Sequence, residues 1–237
     1  MALQEASVES IPNLLLGRFL GTRSLSALQH ALQAMPRHEA LLMLRTIVLQ
    51  ARQATWMRCE AIEALLLLGG EEAEAVLLEA LQYAKAPTPR LFQAIAEALQ
   101  AFPTPKVRQA LRHLAHHNPW EEVRREAVFS LAVLGETSVA EELKRIACSD
   151  PDEERRRRAD IALKWLEFYT GRRKPLLDML QQNPLETTEA LLLLLKYPSN
   201  RKAQSLLLLA KNHPEVARKY GRDIDRRLCF PDNQLER

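Results

Sequence analysis

Between Asn118 and Leu166 the chain carries one pattern twice. Pro119 is followed by Val123, Arg124, Ala127, Leu131 and Leu134; thirty-two residues on, Pro151 is followed by Arg155, Arg156, Ala159, Leu163 and Leu166. Val123, Ala127, Ser130, Leu131 and Leu134 share one face of a helix with about 3.6 residues per turn. Gly135 ends that helix, as a residue tolerant of positive φ should. A second helix follows with Val139, Leu143, Ile146 and Ala147 on one side, and Asp150-Pro151 turns the chain into the next long helix. A helix pair recurring at this period buries its apolar face only against the neighbouring pair. The chain is thereby restricted to a stack of helical hairpins.

The register runs backwards from Val123 to Leu91, Ile95, Ala98, Leu99 and Phe102, then to Met57, Ala61, Ala64, Leu65, Leu68 and Gly69. Four related units result, at about 55–84, 87–117, 119–149 and 151–182, the second being the most diverged. The run from Pro119 through Val123-Arg124, Ala127, Leu131 and Leu134-Gly135 resembles a HEAT repeat, and is most similar to the HEAT-like subtype named after phycobilisome lyases. Met57-Arg58, Ala61, Leu65 and Leu68-Gly69 resemble it too. The likeness covers about 55–170 and departs from the pattern at Phe92, in place of Arg, and at Arg155, in place of Val. It implies that Arg58, Arg124 and Arg156 tie neighbouring repeats together, with Asp150 as an acidic partner, and that Phe92 interrupts the ladder. The expected fold is all-α: a right-handed α-solenoid of HEAT-like hairpins with helical caps. Residues 1–53 form an N-terminal cap, 54–170 the repeats, and 171–237 the C-terminal hairpins and cap, as one continuous solenoid.

Outside the repeats, helical spacing places helices at Ser24–Met35, Arg37–Arg52, Leu176–Gln182, Glu186–Tyr197, Asn200–Asn212 and Pro214–Leu228. Pro184, Pro198 and Pro214 punctuate the last four. The tail Cys229–Arg237 reads as poorly ordered. The seven glycines and the lack of an alternating strand agree with an all-helical chain. Cys59, Cys148 and Cys229 are scattered, which suits a reducing compartment. The start lacks a basic run, and no segment approaches the apolar length of a membrane span. A cytoplasmic protein is expected.

Net charge is +3 but uneven: residues 1–150 carry 15 basic and 17 acidic side chains, residues 151–237 carry 18 and 13. That asymmetry hints at an anionic partner for the C-terminal part. By the family convention, the helices opening on the Pro/Val-Arg signature line the concave side. Equivalent positions then form a stripe of Cys59, Glu63 and Leu67; Gln93, Glu97 and Ala101; Arg125, Phe129 and Val133; Arg157, Ile161 and Trp165. Arg125, Phe129, Arg157, Ile161 and Trp165, extended by Arg172 and Arg173, are the candidate partner-binding residues, because arginine beside an aromatic is a common interface anchor. The competing reading packs Phe129, Ile161 and Trp165 between adjacent helices. Arg155 to Arg158 read as a solvated helix end, balanced by Asp152, Glu153 and Glu154. His113 and His117 share a helix face, but without a third ligand no metal site is expected, and no cofactor.

The function expected is a non-enzymatic protein-binding adaptor, scaffold or assembly factor. One alternative, resting on the name-giving members of the subtype, is a bilin lyase or chaperone-like factor for a tetrapyrrole-binding protein. Another is nucleic-acid binding, through Arg157, Arg172, Arg173 and Lys174.

Overall fold

The computed structural model describes residue 32, residues 35–50 and residues 53–228. Most of the expected Ser24–Met35 helix and the tail Cys229–Arg237 lie outside them. The described residues form twelve α-helices and no strand: α1 (Arg37–Leu49), α2 (Thr55–Leu68), α3 (Gly70–Tyr83), α4 (Pro89–Ala98), α5 (Pro105–His117), α6 (Glu121–Val133), α7 (Ala140–Ser149), α8 (Glu153–Tyr169), α9 (Lys174–Gln182), α10 (Pro184–Leu194), α11 (Arg201–Lys211) and α12 (Pro214–Leu228). This is the all-α, hairpin-repeat architecture of the α-solenoid class.

Local chemistry sets the helix starts. Thr104 caps α5 by accepting the Val107 N–H at 3.3 Å, with Pro105 at the first position, where its missing N–H costs nothing. Asp152 caps α8 through the Arg155 N–H at 3.2 Å, and Asn200 caps α11 through the Ala203 N–H at 2.8 Å. The chain divides into two compact units, residues 1–95 and 96–237, with α4 carrying the division.

In the first unit α1 and α2 form a hairpin, and α3 packs on both. Arg37 at the start of α1 donates to the Leu68 and Gly69 carbonyls at 2.7 and 2.6 Å and to Glu72 at 3.1 Å, so it satisfies carbonyls that the end of α2 leaves without helical partners. The expected boundary between 53 and 54 falls between the two helices of this hairpin.

In the second unit the tight hairpins are α5 with α6 and α7 with α8. Each signature helix therefore packs chiefly on the helix before it, one helix earlier than the 119–149 and 151–182 units imply. After α8 the stacking changes. α9 and α10 do not simply add another layer: α10 lies along α8 and touches α6, and α12 packs on α10 and α11. Helix α10 ends at Leu194, three residues short of the expected Tyr197, and the turn after it reaches back across the chain to residues 97–100. Every residue from Glu126 to Leu134 is buried. An α-helix is buried on all sides only when something covers each of them, and α5, α7, α8 and α10 all touch α6.

Gly135, after α6, sits at φ +81°, and a methyl group built on it would meet the Tyr169 ring at 2.2 Å. Tyr169, the last residue of α8, uses the space that the missing side chain leaves. Strain at positive φ and overpacking together predict that Gly135→Ala destabilises the protein by about 2–5 kcal/mol in urea unfolding. Tyr169→Ala should recover the steric part but not the conformational part. Additive costs for the two substitutions would contradict the contact.

Candidate interaction surface

The signature arginines bind main chain. Arg124 donates to the Asn118 and Pro119 carbonyls at 2.8 and 3.1 Å; Arg156, one period later, donates to the Asp150 and Pro151 carbonyls at 2.7 and 3.2 Å. Arg58, fully buried, donates to Val48 O at 2.9 Å and Ala86 O at 3.3 Å, and burial pulls its pKa below the ordinary value. Asn118 and Asp150 each turn the chain with a side-chain oxygen, accepting the N–H of Trp120 at 3.0 Å and of Asp152 at 2.9 Å. The buried Asp150 carboxylate faces Arg125 Nε at 3.2 Å and Arg155 at 3.8 Å. Arg125, placed by sequence in the binding stripe, thus joins α6 to the turn before α8, and Glu121 holds its other end at 2.7 Å.

The apolar half of the stripe is not surface. Phe129, Ile161 and Trp165 are buried. The Trp165 indole N–H donates to the Ala132 and Val133 carbonyls at 3.1 and 3.3 Å, and its ring stacks on Phe168 at 5.7 Å. A large aromatic with its one polar group satisfied internally is core. Arg157 stays exposed and pairs with Glu153 at 2.7 Å along its own helix. Arg172 and Arg173 lie exposed on the turn after α8, with Arg173 5.9 Å from the Phe168 ring centre. The structure does not bring the seven candidate residues together as one face.

A residue not singled out by sequence organises the region instead. Arg158, expected in a solvated helix end, is buried. Its two Nη atoms donate to the two Glu126 carboxylate oxygens at 2.6 and 2.5 Å, and its guanidinium lies 4.2 Å over the Phe129 ring. Glu126 and Arg158 occupy the same position in successive repeats, thirty-two residues apart. Opposite charges in one register were the signal available in the sequence. Burial works against the Arg158 charge, but Glu126, and then Glu97, raise its pKa. Next to this pair, Lys196 after α10 bonds Glu97 at the end of α4. Ser199 Oγ donates to Gln100 O at 2.7 Å, Gln100 donates to Ser130 Oγ at 3.2 Å, and Ser130 donates to Ala96 O at 2.8 Å. Burial, and then the Glu126 carboxylate, push the Glu97 pKa up in spite of Lys196 and Arg158.

Helices carrying a repeated Val-Arg signature, tied by arginine to the preceding turns, are matched by a family model of HEAT repeats at residues 41–132 and again at 81–164, together just over half the chain. The chain belongs to the HEAT-repeat family. Among solved structures, human deoxyhypusine hydroxylase in complex with glycerol is similar, at 20% identity and a TM-score of 0.48, over 75% of this chain and 69% of that one. No curated protein matches the sequence.

Among the described residues the exposed large apolar side chains are Leu42, Trp56, Tyr83, Leu208 and Leu209, of which two are aromatic. Trp56 opens α2 at 57% exposure and Tyr83 ends α3 at 67%. Both belong to the same end of the first unit, because the end of α1, the start of α2 and the turn after α3 are joined there by Arg58 and by the Lys85 N–H to Leu49 O bond at 3.0 Å. Among the described residues no helix is long and apolar enough to cross a membrane, and no three metal-ligating side chains cluster.

Two outcomes follow for the charged core. Arg158→Met leaves Glu126 buried without its partner and should cost about 3–5 kcal/mol, whereas Glu126→Leu/Arg158→Met should return to within about 1 kcal/mol of wild type in the same urea assay. Glu97 is faced by Glu126, Arg158, Lys196 and Arg227. Its folded pKa lies above the ordinary 4.5, so its stabilising contribution is full below that value and lost as the pH rises through the folded one. Glu97→Gln should therefore unfold with wild type at about pH 4 and at a higher urea midpoint at about pH 8, although it breaks an ion pair. A lower midpoint at both pH values would contradict the assigned direction.

Proposed function

We propose that this HEAT-repeat chain is a non-enzymatic protein-binding scaffold whose contact surface lies on the first unit, around Trp56 and Tyr83. The observation carrying the reading is that two large aromatic side chains are more than half exposed at one end of the α2–α3 pair. Tryptophan and tyrosine are the residue types on which interface energy concentrates, since each offers a large rigid area with a polar edge. Solvent exposure of two such groups on one end is costly for an isolated domain and useful to a binding surface. The turn beside them is held rather than loose: Ala86 adopts φ +46°, a conformation uncommon for a residue with a side chain, and its carbonyl accepts from Arg58. The partner is another protein with an apolar pocket for one of the rings.

Capture from native extract, quantified by mass spectrometry, tests this with two variants. Trp56→Ala/Tyr83→Ala should lose a specific partner by about tenfold or more while keeping wild-type helicity and unfolding. Arg157→Glu/Arg172→Glu/Arg173→Glu should retain it. The reverse pattern, with nuclease-sensitive material in the eluate, would replace the scaffold reading with nucleic-acid binding.

A further inference from the structure

The helices after α8 raise a separate question: what the α6–α8 face is for, given that the chain covers it itself. We propose that the side of α6 and α8 beneath α10 is a helix-binding surface occupied in cis, and that its external partner is a leucine-rich helix followed by a lysine, which takes the place of α10. The surface is independent of Trp56 and Tyr83.

Three observations carry this. First, the seat is non-local. The hairpins of the second unit join neighbours in sequence, whereas Lys196 to Glu97 and Ser199 to Gln100 each join residues ninety-nine apart. Second, the occupant has a readable chemistry. Leu191, Leu192, Leu194 and Leu195 are buried at the end of α10, and Lys196 follows them onto the Glu97 carboxylate. That is the pattern of an amphipathic helix lying in a groove, with apolar anchors for affinity and a terminal charge for register. Third, the seat has the composition of an interface that opens. Glu97, Glu126 and Arg158 lie buried together, and Lys196 is added to them by the covering segment. A permanently closed core gains little from such groups, because each ion pair must first overcome the loss of its hydration. Surfaces within a chain that separate and rejoin are more polar than obligate ones.

The test uses the full chain and a fluorescent peptide of residues 184–200, whose binding is read by anisotropy. In wild type the seat is filled and the peptide should bind weakly. Lys196→Glu in the chain sets a third carboxylate beside Glu97 and Glu126 and should raise peptide affinity by about tenfold or more. Glu97→Lys/Lys196→Glu restores an opposite-charge pair in cis and should return the affinity to the wild-type level. A peptide with its own Lys196→Glu change should lose binding to the opened chain. Hydrogen exchange on wild type gives a readout free of mutation: α10 amides should exchange about tenfold or more faster than those of α5 and α6, because α10 leaves while the hairpin stays folded. Equal protection of α10 and α6, or a folded Lys196→Glu chain that binds neither peptide, would overturn the proposal. A Lys196→Glu dimer formed by exchange of α10 between copies would assign the seat to a second copy and overturn the external partner.

Discussion

The Glu126–Arg158 pair fixes how one repeat sits on the next. It joins equivalent positions on α6 and α8 through two parallel hydrogen bonds, with the guanidinium plane over Phe129. A bidentate pair in a buried place tolerates no slip, because a displaced carboxylate would lose its partner where water cannot replace it. Apolar ridges alone allow helices to pack in several related registers. Here the charge selects one, and the selected register brings the Trp165 indole to the Ala132 and Val133 carbonyls and the Tyr169 ring to Gly135. The ordering of α6 against α8 thus rests on groups that contribute more to position than to net stability.

The helices themselves were legible in the sequence for a plain reason. Spacing marks them, and some also carry a cap such as Thr104, Asp152 or Asn200 or a stop such as Gly135, all local properties. The repeat was legible because its period is local too. Two matters were not. Which neighbour a signature helix pairs with most tightly cannot be read from a period, since a repeat cut at either helix gives the same sequence. The return of α10 was hidden more deeply. Helical spacing marks Leu191 to Leu195 as a buried run, but the burying surface begins at residue 97. Nothing in the local pattern distinguishes a leucine that caps a stack from one that lies across it.

Packing between α6 and α8 takes up much of the stripe drawn from the sequence. The stripe was drawn for helices with one face in the stack and one in water. Phe129, Ile161 and Trp165 occupy the positions drawn for water, and the structure buries them. Their chemistry was read correctly as apolar and adhesive. The chain's own helices receive that adhesion, and among the described residues the exposed large aromatic side chains are Trp56 and Tyr83 of the first unit.

The same argument applies to charge. The excess of basic residues after 150 suggested an anionic partner, but a residue count is not a surface field. Arg156 is turned onto main-chain carbonyls, Arg158 onto Glu126, Lys196 onto Glu97, Lys202 onto Tyr169 O at 2.8 Å, Lys211 onto Asp225 at 2.5 Å, and Arg227 onto Leu195 O at 3.1 Å. Several of these sit in the contacts that hold α10 and its neighbours in place. A groove that tracks a phosphate backbone needs cations spaced along solvent with their donors outward. Of the basic candidates named from sequence, Arg157 leans on Glu153, leaving Arg172, Arg173 and Lys174 on a single turn. Part of the apparent asymmetry is thus internal wiring of the second unit.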